Sequence, residues 1–417
     1  MEKYHIEGGV PLRGEVDISG AKNAALPILA ASVMTKGENC FTCCPEISDV
    51  DSMVRILEAL GCSIRRDGET MAVDATGLSD WRIPDHLMKE MRSSVFLAGS
   101  LLARCGEAVI SNPGGCNIGK RPIDIHIKGL KALGAVVERH TDSIVLKADK
   151  LKGTHIRLDY PSVGATENLL LAATAAQGTT IIENSAREPE ITDLQEYINR
   201  CGGRVFGAGT GRIVIEGGMK LAGSDHRIIG DRIEAGSYLL MAMGTGGEVF
   251  LRGIKAEPIG SLIEVLESGG YSIKEDEGGV WARSKGHGLV SCRVTTKPYP
   301  GFPTDLHPQL AAFLTANGKS SSIEETIFEN RFNYAKQLVK MGADIEILEK
   351  KVIIGSNKIL YGEKITAEDL RGGAALIIAG LMATGDTIVQ NTRYIKRGYS
   401  RLSEKIGLLG GKIREYE

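Results

Sequence analysis

Asn168-Leu169-Leu170-Leu171-Ala172-Ala173-Thr174-Ala175-Ala176 decides how this chain is built, because a helix formed by these residues has almost no polar face. A helix that is apolar all round must be buried on all sides. The stretch closes at Gly178, and a strand-like run, Thr179-Thr180-Ile181-Ile182-Glu183, follows. The same phrase recurs along the sequence. Residues 94–104 and 373–383 are equally apolar, and six such stretches end at Gly37, Gly106, Gly178, Gly246, Gly318 and Gly385, spaced by 69, 72, 68, 72 and 67 residues. A second helix-like stretch in each unit ends at Gly61, Gly134, Gly203, Gly270, Gly342 or Gly410 before another strand. Glycine just past a last helical turn takes the left-handed conformation without a Cβ clash, so both series read as helix C-terminal punctuation. The second stretches, such as Asp193-Leu194-Gln195-Glu196-Tyr197-Ile198-Asn199-Arg200, alternate faces at helical period and can sit on the outside. The pattern predicts an α/β fold of six repeated βαβαββ-type units, with apolar helices at the centre and sheets around them.

A longer period groups the units. His5-Ile6-Glu7-Gly8-Gly9 is echoed 209 residues later by Val214-Ile215-Glu216-Gly217-Gly218, and Leu12 and Gly14 by Leu221 and Gly223. Three units then make a domain: residues 22–229 form the first, and residues 1–21 with 230–417 the second, the opening strand completing the C-terminal domain. A chain of 417 residues is long enough to need two cores. With 50 Lys+Arg against 52 Asp+Glu it lacks the positive field expected of a nucleic-acid or membrane-surface binder. No signal-peptide core and no apolar run of membrane-spanning length is present in the sequence, and the eight cysteines read as reduced thiols, so a cytoplasmic protein is expected.

The polar residues collect where the central helices begin. Reading back from each closing glycine gives Lys22-Asn23, Arg92, Ser162-Val163-Gly164, Asp231-Arg232, Thr304-Asp305 and Asp369-Leu370-Arg371. Ser, Thr, Asp and Asn there are ordinary caps. Lys and Arg oppose the helix dipole at that end and need another reason, such as a bound phosphate or carboxylate. The turn before each outer helix supplies a second set: Cys116, Arg121, Arg187, Arg331, Lys396 and Arg397. Between paired glycines the spacing is 24, 28, 25, 24, 24 and 25, so the second unit carries about four extra residues, within Asn112-Pro113-Gly114-Gly115-Cys116-Asn117-Ile118-Gly119-Lys120-Arg121-Pro122. A Gly-rich loop of this kind can act as a lid, and Lys120 and Arg121 favour the Cys116 thiolate; the bland alternative is a surface loop with an incidental thiol. Cys40, Cys43 and Cys44 lack the second Cys pair or spaced His of a zinc site and read as packing residues. Gly207-Ala208-Gly209-Thr210-Gly211 sits between strands with no helix after it, and so reads as a hairpin turn rather than a dinucleotide fingerprint. His126, just beyond the Cys116 loop, is either a hydrogen-bond partner or structural.

Several long motifs carry a resemblance. Gly20-Ala21-Lys22-Asn23-Ala24-Ala25, Gly114-Gly115-Cys116-Asn117-Ile118-Gly119-Lys120-Arg121-Pro122-Ile123-Asp124, Ser162-Val163-Gly164-Ala165-Thr166, Phe302-Pro303-Thr304-Asp305 and Phe328-Glu329-Asn330-Arg331-Phe332 resemble the UDP-N-acetylglucosamine 1-carboxyvinyltransferases of the enolpyruvyl transferase family, and the similarity spans the whole chain. The resemblance implies the two-domain inside-out α/β barrel of that family. It implies transfer of an enolpyruvyl group from phosphoenolpyruvate to the 3′-hydroxyl of UDP-N-acetylglucosamine with release of phosphate, in bacterial peptidoglycan synthesis, and sensitivity to fosfomycin. By the same resemblance Lys22, Asn23, Arg121 and Arg397 bind phosphoenolpyruvate, and Cys116 is the proton donor. Arg92, Arg121, Pro122, Ile123, Asp124, Ile125, Ser162, Val163, Gly164, Asp305 and Ile327 bind the UDP-sugar, with Asp305 the base or hydroxyl-orienting group. Arg331, Asp369 and Arg371 take part in domain closure, and neither metal nor organic cofactor is expected. The partners implied are the two small-molecule substrates, not nucleic acid or membrane. Two alternatives stand beside this reading: the sister transferase acting on shikimate 3-phosphate, and a catalytically silent paralogue that binds UDP-sugar and regulates a partner.

Overall fold

The apolar stretches form the helices Lys22–Ser32, Leu97–Cys105, Val163–Ala173, Arg232–Gly244, His307–Asn317 and Leu370–Met382 in the computed structural model, which describes residues 2–111, 123–284, 289–356 and 358–416, without the side chains of Arg92 and Ser93. Every residue from Ala165 to Ala173 and from Leu370 to Leu381 is buried, as helices without a polar face require. The chain divides into two compact units, residues 20–229 and residues 1–19 with 230–417, leaving aside the undescribed loop. Each has its own apolar core. Within each unit three of the six helices pack together: Leu97–Cys105 with Val163–Ala173 and Lys22–Ser32, and Leu370–Met382 with His307–Asn317 and Arg232–Gly244.

Around these helices the described strands form six sheets on one plan. Thr179–Glu183 takes His155–Arg157 in parallel on one side and Arg212–Glu216 antiparallel on the other, which in turn pairs with Val205–Phe206. Glu38–Thr42 pairs in the same way with Asp225–Arg227 and with the hairpin Ser63–Asp67 and Thr70–Asp74. Glu107–Ser111 keeps its hairpin, Ser143–Lys147 and Val136–Arg139, but its parallel edge shrinks to a single bridge from Arg82 to Val109. In the other unit Glu248–Arg252 and Ser321–Glu324 repeat the plan, with parallel edges Arg13–Asp17 and Arg293–Thr295. The sixth sheet differs in its source: Asp386–Gln390 pairs with Lys3–Glu7, which lies between it and Lys412–Tyr416. Ser19, next along the opening segment, donates its N–H to buried Glu234 at 2.7 Å, and Lys405 Nζ reaches the same carboxylate at 2.9 Å.

The glycine punctuation marks the helix ends at Gly61, Gly106, Gly134, Gly246, Gly270, Gly342 and Gly410, whereas the helices Lys22–Ser32, Val163–Ala173 and Leu370–Met382 stop short of Gly37, Gly178 and Gly385, which turn the chain just before the next strand. Ten of the twelve closing glycines have positive φ. At Gly202-Gly203 the left-handed residue is Gly202, φ +95°, because the helix Pro189–Arg200 ends one residue earlier than the repeat suggested. Gly318 is extended, φ −107°, and glycine is needed there for room: a Cβ would lie 2.3 Å from the Leu314 carbonyl oxygen. Gly207 and Gly209, both at positive φ, turn the chain between Val205–Phe206 and Arg212–Glu216, as a hairpin turn requires.

Candidate functional site

All six polar clusters lie at or beside the starts of the central helices, and capping accounts for three of them. The Ser162 side chain accepts from Ala165 N at 3.3 Å, Asp231 from Ile233 N and Glu234 N at 2.7 and 3.0 Å, and Asp369 from Arg371 N and Gly372 N at 3.0 and 2.9 Å. Two of the cations at these starts, Lys22 and Arg371, are met by carboxylates from their own unit. Lys22 Nζ lies 2.6 Å from Asp49 Oδ2, with both side chains nearly buried. Asp49 stands in the first turn of the outer helix Ser48–Ala59. Arg232 lies over the Tyr299 ring, 5.7 Å from its centroid.

The densest charge cluster surrounds Asp305. Arg331 Nη2 donates to Oδ1 at 2.6 Å and Arg371 Nη2 to Oδ2 at 3.0 Å, both guanidiniums almost wholly buried while Asp305 keeps 26% of its side chain exposed. Burial alone raises the Asp305 carboxyl, but Arg371 and Arg331 outweigh it and hold the group far below the ordinary carboxylate range. Such a carboxylate orients a hydroxyl well and removes its proton poorly.

A second carboxylate in the same unit, Glu325, is fully buried, and the sequence reading did not single it out. It accepts from His307 Nδ1 at 2.7 Å, Thr304 Oγ1 at 2.8 Å, Ile327 N at 2.6 Å and Phe328 N at 3.0 Å. Burial opposes ionisation, yet the His307 and Thr304 side chains and the backbone donors pull the Glu325 carboxyl down to about 2. Burial also pushes His307 below its usual value. A neutral imidazole donating to a carboxylate satisfies both shifts. His307 Nε2 has no hydrogen-bond partner among the described residues, which makes a second ring proton costly there.

In the unit of residues 20–229, the starts of two central helices and the segment after the Cys116 loop converge. A Cβ on Gly164 would meet Phe96 Cε1 at 3.1 Å and His126 Cε1 at 3.3 Å, so the 162–164, 92–96 and 123–126 stretches are neighbours. Asn168 binds them together: its Oδ1 accepts from Gly99 N at 2.6 Å, and its Nδ2 donates to Val95 O and to His126 Nδ1 at 3.1 and 3.0 Å. Since the amide nitrogen is only a donor, His126 Nδ1 is the acceptor and its ring proton is on Nε2. Ile123 and Ile125 are partly buried against the core, whereas Asp124 is exposed and 3.7 Å from Arg139. Nearby Glu167 lies wholly inside with no hydrogen bond to either carboxylate oxygen among the described residues, and burial, then Glu190 and Glu188, push its carboxyl well above the usual range.

Of the remaining candidates, Asn23 and Ile327 are half-buried, and Arg397 ends the 3-10 helix Thr392–Arg397, also half-buried. Lys396 beside it instead ties Glu2 and Glu415 at 2.9 and 2.5 Å, and Arg187 is exposed over the Gly211 turn. Cys116, Arg121 and Pro122 lie outside the described residues, as does the Arg92 side chain. Cys44 is buried, its thiol pushed up to about 12 by burial, and among the described residues no group of His, Cys, Asp and Glu could hold a metal ion.

The EPSP synthase (3-phosphoshikimate 1-carboxyvinyltransferase) family profile matches residues 6–406. The chain belongs to this family. Among curated members, the UDP-N-acetylglucosamine 1-carboxyvinyltransferase 2 of Caldanaerobacter subterraneus subsp. tengcongensis is 46% identical, with 99% of each chain covered. The UDP-N-acetylglucosamine 1-carboxyvinyltransferase of Halothermothrix orenii is also 46% identical, over 100% of both. The fold is that of solved EPSP-synthase-family structures: the enolpyruvyl transferase NikO from Streptomyces tendae superposes with a TM-score of 0.90 at 24% identity, covering 99% of this chain and 98% of that one. EPSP synthase from Acinetobacter baumannii gives 0.76 at 20% identity, over 100% of both. The inside-out α/β architecture expected from the apolar helices is therefore the family's own.

Proposed function

We propose that this chain transfers the enolpyruvyl group of phosphoenolpyruvate to the 3′-hydroxyl of UDP-N-acetylglucosamine and releases phosphate, the first committed step of bacterial peptidoglycan synthesis. The observation that carries this reading is identity of 43–46% over essentially the full length to relatives of that name. No described helix is long and apolar enough to cross a membrane.

Lys22, Asn23, Arg121 and Arg397 hold the phosphate and carboxylate of phosphoenolpyruvate. The UDP-sugar is bound by Arg92, the residues from Arg121 to Ile125, Ser162 to Gly164, Asp305 and Ile327. As the sugar oxygen bonds to C2, its hydroxyl proton passes to Asp305 and the methylene carbon takes a proton from the Cys116 thiol, giving a tetrahedral ketal and a thiolate. A methyl proton then returns to the Cys116 thiolate, the double bond reforms and the C–O bond to phosphate breaks. The pairing of Asp305 with Arg331 and Arg371 supports a hydroxyl-orienting role in this geometry, with base strength gained only when a guanidinium moves away. Arg331, Asp369 and Arg371 are the residues assigned to domain closure.

The test is phosphate release from phosphoenolpyruvate with each acceptor in turn, repeated for Cys116→Ser. Release with UDP-N-acetylglucosamine is expected. Release only with shikimate 3-phosphate would replace this reading by the sister reaction, and UDP-sugar binding without any release would replace it by a silent regulator. With UDP-sugar present, fosfomycin is expected to raise the intact mass of the wild-type protein but not of the Ser variant.

A further inference from the structure

Glu325 joins two segments that are far apart in sequence and both assigned to the acceptor substrate. One of its oxygens, Oε2, takes the Thr304 hydroxyl and His307 Nδ1, beside Asp305; the other takes the backbone N–H groups of Ile327 and Phe328. The comparison with other repeats marks the position as unusual. The residue that follows the equivalent strand is left-handed in four units: Cys43 at φ 56°, Asn184 at 54°, Gly253 at 85° and Asn391 at 66°. In the fifth unit the strand Ser321–Glu324 is followed by Glu325, which is not left-handed. There the turn is held by a buried carboxylate that grips the N–H groups two and three residues on and reaches across to the start of the His307–Asn317 helix. A glycine or asparagine would turn the chain but could not make that cross-link.

We propose that Glu325 is a positioning residue for the nucleotide-sugar, fixing the spacing between Asp305 and Ile327 through the Thr304 hydroxyl on one side and the Ile327–Phe328 backbone on the other. The proposal rests on the function assigned above. It requires no ligand contact by Glu325 itself, whose side chain is wholly enclosed. His307 completes the acceptor's shell of donors and leaves the carboxylate no reason to rotate.

Thr304→Val removes one hydrogen bond at constant shape, Thr304→Ser restores it, and Glu325→Gln turns one acceptor oxygen into a donor facing two donors. Steady-state phosphate release separates KM for UDP-N-acetylglucosamine from KM for phosphoenolpyruvate. Thr304→Val is expected to raise the first by about fivefold to tenfold, as loss of one buried hydrogen bond does, and to leave the second within about twofold. Thr304→Ser returns both to wild type, and Glu325→Gln, where it folds, exceeds the Val variant. Unchanged KM for the UDP-sugar in Thr304→Val would overturn the positioning role, as would an equal rise in both constants, which a purely structural link produces. If the wild-type protein released phosphate only with another acceptor, the underlying functional reading would fall, and this inference with it.

Discussion

Asp305→Asn separates the two roles that a carboxylate between two guanidiniums can play. The substitution keeps the shape and one acceptor oxygen but removes the charge that Arg331 and Arg371 share, leaving two guanidiniums with 3% and 4% exposure facing a neutral amide. Removing one partner of a buried ion pair costs roughly 3–5 kcal/mol. The 26% exposure of Asp305 and the hydrogen bond that the amide oxygen retains, about 1 kcal/mol, lower this to about 2–4 kcal/mol. Each unit contains one of the two tryptophans, Trp81 and Trp281, so in a Trp81→Phe background the fluorescence of Trp281 reports denaturant unfolding of the unit that holds Asp305. The pH dependence supplies an independent check. The folded-state carboxyl is depressed, so its contribution is fully present above the unfolded value of about 3.9 and is lost as pH falls below that towards the folded value. The gap between wild type and Asp305→Asn is therefore constant from about pH 5 to 8 and narrows below about pH 4. A variant within about 0.5 kcal/mol of wild type at pH 7 would refute the clamp and leave Asp305 a purely chemical role.

Two further outcomes test the other unit. Gly99→Ala puts a Cβ 2.2 Å from the Asn168 carbonyl oxygen and 2.4 Å from Asn168 Oδ1, so overpacking is expected to cost about 1–3 kcal/mol and lower the melting temperature; an unchanged melt would mean the two helices do not meet there. Glu167→Gln should be stabilising at high pH. The folded carboxyl is raised, so wild-type stability is complete below the unfolded value of about 4.3 and falls as pH rises towards the folded value, whereas the amide does not titrate. Thermal melts at pH 5 and pH 8 should show the variant's advantage growing with pH, and parallel curves would show that Glu167 is ionised in the folded protein.

The helices and their order were legible because burial writes itself into composition. A stretch such as residues 168–176 has only one stable environment, although its helix stops at Ala173, short of Gly178. Gly37, Gly178 and Gly385 lie beyond their helix ends, and Gly203 and Gly318 serve close packing rather than a left-handed turn, distinctions the sequence does not carry. The polar residues at the helix starts were legible as a set for the same periodic reason. Their partners were not, since Asp49 meets Lys22 from a different helix and Glu325 meets Thr304 and His307 across the unit. Aligning the turns after the six strands would have exposed Glu325, the carboxylate standing where four other repeats carry Cys43, Asn184, Gly253 and Asn391. Lys396 was a plausible member of the cationic set by position alone, and only its ion pairs with Glu2 and Glu415 remove it.

The strand Lys3–Glu7 is synthesised long before both of its neighbours, Asp386–Gln390 and Lys412–Tyr416. At roughly 5–20 residues per second, this strand waits on the order of 20–80 s for its partners. During that interval residues 20–229 are complete and can fold around their own core, while the opening segment trails with unpaired N–H and C=O groups on both edges. The alternation that buries Tyr4 and Ile6 in the finished sheet is thus exposed to solvent, and to other nascent chains, throughout that interval. The sheet of Lys3–Glu7 therefore closes only after the strands Asp386–Gln390 and Lys412–Tyr416 have been made, long after residues 20–229 have their own core to fold around.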